Sequence, residues 1–201
     1  MRRLAKQVLM ASMAALVLAG CATTPATEVT RFHLGQPIPS DSIQLEPATG
    51  MDANSLEFRS YAAAVAADLD AVGLHRAAND GRSAYIGILK VEQTSHETGP
   101  RHAPFTIGIG GSTGGYGGGV AGGVSVPVGK PSAGAVRVNM LSLQIRRRSD
   151  STMVWEGRAV REIAADAPAS ALPAAVPALS KALLTGFPGP NGQTVKVKAS
   201  K

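Results

Sequence analysis

The sequence predicts an α+β fold: a mostly antiparallel sheet, two helices packed on one of its faces, and a glycine-rich β-ribbon or loop extension. Three observations lead there. Short period-two stretches recur along the chain, two longer stretches carry apolar residues at helical spacing, and ten of the sixteen residues in 108–123 are glycine. Helices gathered on one side of a sheet are the layered solution that such an order favours. At 201 residues with 44% hydrophobic content the chain supports one globular domain, and with aromatics at only 4% its core must be built mainly from Ala, Val, Leu and Ile.

The elements follow in order. Residues 29–34, VTRFHL, alternate and are rich in strand formers, so they read as a first strand that Pro37 and Pro39 interrupt. SIQLEP, 42–47, suggests a second short strand. A helix comes next, with Asn54 as cap and Glu57 three residues on as its capping-box partner. Phe58, Tyr61, Ala62, Val65, Leu69 and Val72 form its apolar stripe, Gly73 stops it, and Arg59, Ala63, Ala67 and Asp70 occupy the opposite face. Residues 83–92 read as a strand with Tyr85 facing opposite to Ile86 and Ile88. Residues 136–148 alternate, with Leu141, Leu143 and Ile145 on one side; SDST at 149–152 is turn chemistry and 153–163 return as the second arm of an antiparallel hairpin.

A second helix carries Leu172, Val176, Leu179 and Leu183, and Gly186 closes it. Pro177 falls inside that pattern, so regular helix is expected to begin near it, where a missing N–H matters little. The last strand is 194–198, with Val195 and Val197 inward and the lysines outward.

The N-terminus is organised differently. Arg2, Arg3 and Lys6 precede a charge-free run over 8–20. Thirteen residues of helix rise about 20 Å, short of a bilayer's roughly 30 Å core, so the run fits an export signal better than a permanent span. It ends in Leu18-Ala19-Gly20-Cys21, which resembles the lipobox of bacterial lipoproteins. The resemblance implies cleavage between Gly20 and Cys21 and fatty acylation, palmitate included, of Cys21, the only cysteine in the chain. Ala22 in place of an Asp implies sorting to the outer membrane, facing the periplasm. The expected division is a cleaved signal peptide over 1–20, a lipidated tether over 21–28, and a single domain over 29–198 with a glycine-rich insertion at 104–133.

Loss of the leader leaves 17 basic against 14 acidic residues, a net charge of +3 in place of +6. Half of the basicity belongs to the signal, and an exported chain does not meet genomic DNA or tRNA, so a nucleic-acid partner is not expected.

The glycine stretch contains two accidental motifs. Gly117, Gly119 and Gly122 satisfy G-x-G-x-x-G, but a dinucleotide site needs a helix to follow and VSVPVG alternates instead. Gly110, Ser112 and Gly114 satisfy G-x-S-x-G, yet all four histidines (His33, His75, His96, His102) precede the serine, whereas in that fold the base follows it. With no charge over 104–128, the stretch reads as a hairpin ordered at its base, its tip either solvated or recruited as a contact. His96-Glu97 with His102 lacks the helical spacing of a metal pair and reads as exposed polar loop. Arg146 and Arg148 share a strand face and have the charge to grip an anionic polymer or headgroup, but they read better as a solvated strand end. Trp155 reads as a core or edge anchor. No catalytic set, cofactor or metal is expected.

The succession of lipobox, VTRFHLGQPIP, ANSLEFRSYAAAV, LQIRRRSD with VWEGRA, and GFPGPNGQTVKV resembles the DUF4136 lipoproteins of bacteria over essentially the whole mature chain. That implies a small α+β envelope domain and no activity. The expectation is therefore a non-enzymatic lipoprotein, held in the membrane through acylated Cys21 and working through an envelope protein or polymer partner. A cell-envelope hydrolase with an unrecognised site is the first alternative, which turnover would reveal. A small-ligand or lipid-binding module is the second, and it needs a preformed apolar cavity between helix and sheet.

Overall fold

The computed structural model describes residues 25–78, 81–97, 106–109, 124–127 and 134–198. Cys21, Gly20 and most of the glycine stretch lie outside them. Nine strands are described: β1 (Thr27–His33), β2 (Asp41–Pro47), β3 (Leu74–Arg76), β4 (Tyr85–Glu97), β5 (Thr106–Ile109), β6 (Val124–Pro127), β7 (Ala135–Arg147), β8 (Met153–Ala164) and β9 (Thr194–Val197). Helix α1 spans Leu56–Ala71 and α2 spans Leu172–Leu184, the latter entered through a 3-10 turn at Pro168–Ser170.

Seven strands form one sheet in the order β3-β2-β4-β7-β8-β1-β9. It is mixed, which corrects the expectation of a mostly antiparallel sheet. Strand β2 runs parallel to both of its neighbours, β3 and β4, while β4–β7, β7–β8, β8–β1 and β1–β9 are antiparallel. The parallel half follows from α1. A helix joining two strands carries the chain back to its starting end, so β2, α1 and β3 form a crossover unit whose strands must point the same way. Strand β3 is only three residues long, LHR, too short for any alternation to announce it.

One face of the sheet holds the core. On β7, Leu141, Leu143 and Ile145 are fully buried and face the helices with Leu89 of β4, Trp155 and Ala159 of β8 and Val29 of β1. Helix α1 contributes Phe58, Tyr61, Val65 and Leu69, and α2 contributes Val176, Leu179 and Leu183. These stripes match the expected ones, and Leu172 packs at the margin. Gly157 sits under Trp155: a Cβ there would stand 2.5 Å from the indole Cη2 and 2.8 Å from Leu183 Cδ1.

Several boundaries move. Strand β1 begins at Thr27, two residues inside the expected tether, because it pairs on both edges, Glu28 opposite Val160 and Lys196. The α1 cap is Ser55 rather than Asn54; the Phe58 N–H donates to Ser55 Oγ at 3.0 Å, and Glu57 accepts from the Tyr61 hydroxyl at 2.9 Å instead of closing a capping box. Helix α2 begins at Leu172 with Pro177 on its exposed side, five residues earlier than Pro177 suggested. Its packed face outweighs one missing hydrogen bond. Strand β4 runs on to Glu97, so His96 and Glu97 are strand residues paired with Val136 and Ala135, not loop. The base of the glycine excursion forms the expected ribbon: β5 and β6 pair antiparallel with each other alone, Thr106 opposite Pro127. Its tip, with Ser112 and the glycine motifs, lies outside the described residues.

Candidate functional site

The main-chain arithmetic of β2 exposes an unfinished edge. The Asp41 N–H donates to Gly73 O at 3.2 Å and the Ala77 N–H to Ile43 O at 3.0 Å, so odd-numbered residues of β2 address β3. Even-numbered residues address β4, as the Ala48 N–H on Leu89 O at 2.9 Å confirms. Strand β3 pairs only as far as Ile43. Beyond it Leu45 presents an N–H and a carbonyl, and Pro47 a carbonyl, with no strand alongside among the described residues.

Helix α1 runs beside this edge, and the two enclose an open groove of about 780 Å³. The face of α1 read from sequence as the solvent side carries Arg59 and Ala63, and both line it. Alanines at 62, 63 and 66 leave room that larger residues would fill. Leu56, at the helix start, is 80% exposed at the groove mouth. Arg76 of β3 pairs in register with Ile43, which places it on the helix side, also lining the groove. Neither Arg59 nor Arg76 has a carboxylate partner among the described residues.

The floor is held still from behind. Gln44 Oε1 accepts from Arg148 Nη2 at 2.6 Å and from the Gly81 N–H at 3.1 Å, while Arg148 also donates to Ser83 O and Ser83 Oγ. Glu46 faces Arg146 at 3.7 Å. The three arginines at 146–148 are thus distributed: Arg146 to Glu46, Arg147 to Asp150 at 2.8 Å, and Arg148 to the β2–β4 junction. Arg146 and Arg148 do meet the same reverse face of β2, but all three arginines are half-buried and engaged within the fold, which corrects the expectation of a solvated strand end.

On the other side of α1 a polar knot occupies the base of the helices. Gln93 Nε2 donates to Asn139 Oδ1 and Ser170 O, Asn139 Nδ2 to Ser170 O, and Arg137 Nη1 to Ser170 Oγ. Its bonds pin the 3-10 turn to the sheet. Nearby, burial first and the Glu57 carboxylate second push the Tyr61 hydroxyl up to about 12. Tyr61 therefore stays protonated as a hydrogen-bond donor and is no general base at neutral pH.

The least expected residue is Arg31. It is 3% exposed, on the core side of β1, with Nε donating to Leu183 O at 2.8 Å and Nη2 to Ala182 O and Thr185 O at 3.0 Å. It closes the C-terminus of α2, where unpaired carbonyls and the helix dipole both favour a cation. Burial lowers its pKa from the ordinary arginine value. Alternation hid this role, since a charged residue in a strand reads as outward; in the structure Val29, Arg31 and His33 share a side while Phe32 points out, 49% exposed.

Trp155 is fully buried, donates Nε1–H to Pro188 O at 3.0 Å and leans on Phe187 at 5.2 Å between ring centroids. It is a core anchor. His96 and Glu97 are exposed at the far end of β4, and His102 lies outside the described residues, as do Cys21 and Gly20. Among the described residues no three His, Cys, Asp or Glu side chains converge as a metal-binding group.

Comparison with known proteins assigns the family. A family model described as a domain of unknown function, DUF4136, matches residues 37–189, and the chain belongs to that family. It is 30% identical to the uncharacterised protein ZMO1243 of Zymomonas mobilis, over 87% of this chain and 81% of that one. Among solved structures, a PDZ domain protein from Parabacteroides distasonis aligns with a TM-score of 0.47 at 11% identity, covering 94% of this chain and 42% of the other. The PelC dodecamer from Paraburkholderia phytofirmans aligns with a TM-score of 0.44 at 13% identity, covering 79% of this chain and 95% of that one.

Proposed function

We propose that this protein is a lipid-anchored component of the bacterial envelope that works by binding rather than by chemistry, facing the periplasm from the outer membrane. The observation that carries the reading is the position of Cys21. The chain's single cysteine stands directly after a charge-free run ending Leu18-Ala19-Gly20, with a basic cluster upstream and a small, polar, proline-containing spacer downstream. An exported domain with one free thiol would be exposed to oxidation; acylation removes the thiol and supplies a foothold worth roughly 0.8 kcal/mol per buried CH₂.

The binding half of the reading draws on how the domain uses its polar groups. Arg31, Arg148, Asn139 and Ser170 are all engaged in tying elements together. The groove lies between α1 and the edge of β2 and is open along one side, with arginines as well as apolar groups in its lining, which suits an extended macromolecular contact better than a sequestered small ligand.

Two measurements test it. Growth with an alkyne-tagged palmitate, followed by mass spectrometry of the mature N-terminus, is expected to find an acylated cysteine as the first residue. An intact leader or a different first residue overturns the anchor. Crosslinking in intact cells is expected to recover a discrete envelope partner, and reproducible turnover of an envelope substrate by the purified protein overturns the binding role.

A further inference from the structure

We propose that the open edge of β2 accepts an extended acidic peptide as an added strand, seated between β2 and α1 with its carboxylates against Arg59 and Arg76. This deepens the binding reading and rests on it. The backbone sets the geometry. Leu45 offers a donor and an acceptor and Pro47 a further acceptor, at the point where β3 stops covering β2. An incoming strand continues the sheet in the position β3 has vacated, which is how sheet edges recruit peptides. Proline has no N–H, so Pro47 limits the pairing to a short register and keeps the edge from templating long aggregates.

The groove has the dimensions of a short peptide. From Leu56 to Ala66 the helix wall rises about 15 Å, the length of four or five extended residues. The alternate side chains of such a strand point toward α1, where Ala62, Ala63 and Ala66 leave space. Arg59 on the helix and Arg76 on β3 then stand on two sides of the guest, both exposed and without carboxylate partners among the described residues. Glu46, the carboxylate on the neighbouring stretch of β2, is turned to Arg146 on the reverse face. The charge asks for an anionic guest, and the bare backbone asks for an extended one. The opposite edge of the sheet lacks this character: β9 presents Lys196, held by Glu28 at 3.4 Å.

The test uses the full chain in a non-ionic detergent and two fluorescein-labelled octapeptides, one alternating valine with glutamate and one alternating valine with lysine. Fluorescence anisotropy is expected to show saturable binding of the glutamate peptide, with the lysine peptide weaker by on the order of tenfold. Hydrogen exchange at the Leu45 amide is expected to slow in the presence of the glutamate peptide. The double variant Arg59→Glu, Arg76→Glu alters only exposed side chains and is expected to reverse the charge preference while leaving the circular dichroism spectrum unchanged. No saturable binding of the glutamate peptide up to about 1 mM, equal affinity for both peptides, or binding without protection at Leu45 overturns the proposal. If crosslinking in cells still finds a partner after such a result, the groove assignment falls and the binding reading stands.

Discussion

At the scale of single residues, two positions hold the two layers together. Arg31 serves three carbonyls at the end of α2 from a fully enclosed position on β1. Replacing it with methionine keeps the volume and strands those carbonyls, so a loss of about 3 kcal/mol is expected in urea unfolding. Lysine should restore only part of it, since one ammonium cannot reproduce a planar fork. Gly157 works by absence. Gly157→Ala drives a methyl into Trp155 and Leu183, both fully buried, and is expected to cost about 1–3 kcal/mol. Tyr61 gives a pH signature. Its folded pKa lies above the unfolded value, so the stability it contributes is complete below pH 10 and is lost as pH rises through about 12. Phenolate absorbance should resolve this late titration, and Glu57→Gln should move it down only in part, because burial is the larger cause.

At the scale of elements, periodicity carried most of the reading. The stripes of α1 and α2, the β7–β8 hairpin and the facing of Leu141, Leu143 and Ile145 were all legible, because burial imposes a period that survives in composition. What was not legible is local competition and long-range pairing. Ser55 and Asn54 are both capping residues, and nothing in the sequence says that Asp52 O will hold the Ser55 hydroxyl at 2.9 Å. Ser55→Ala is therefore expected to destabilise α1 by about 1 kcal/mol, and Asn54→Ala much less, as thermal melts would show. The sign of the sheet was missed for a related reason: strand direction is set by a three-residue strand after the helix, and three residues have no pattern. The groove was hidden for the same cause, since it exists only where β3 ends. Its sequence trace was modest: of the groove's lining, only Arg59 and Ala63 fall on the α1 face read as the solvent side, while Ala62 reads as part of the buried stripe.

At the scale of the whole molecule, the fold divides what is structural from what is appended. The seven-stranded sheet closes its own core on two helices, and β5 with β6 forms a separate two-stranded sheet that hydrogen-bonds to no strand of the first. A ribbon of that kind adds little to global stability, because its pairing is local and isolated hairpins are marginal in water. Deleting residues 108–123 is accordingly expected to shift the melting temperature by no more than a few degrees, whereas a large drop would mean that the excursion braces the main sheet. The same separation applies at the other end of the chain. Strand β1 starts at Thr27 and is locked between β8 and β9, so the fold has its first fixed point only six residues after Cys21. A spacer that short reaches about 20 Å when extended, which keeps an anchored domain close to the lipid surface. On the proposed acylation, Cys21→Ser should leave the melting temperature of the domain unchanged while moving the protein from the membrane fraction to the soluble fraction, and persistence of the serine variant in washed membranes would overturn the proposed anchor.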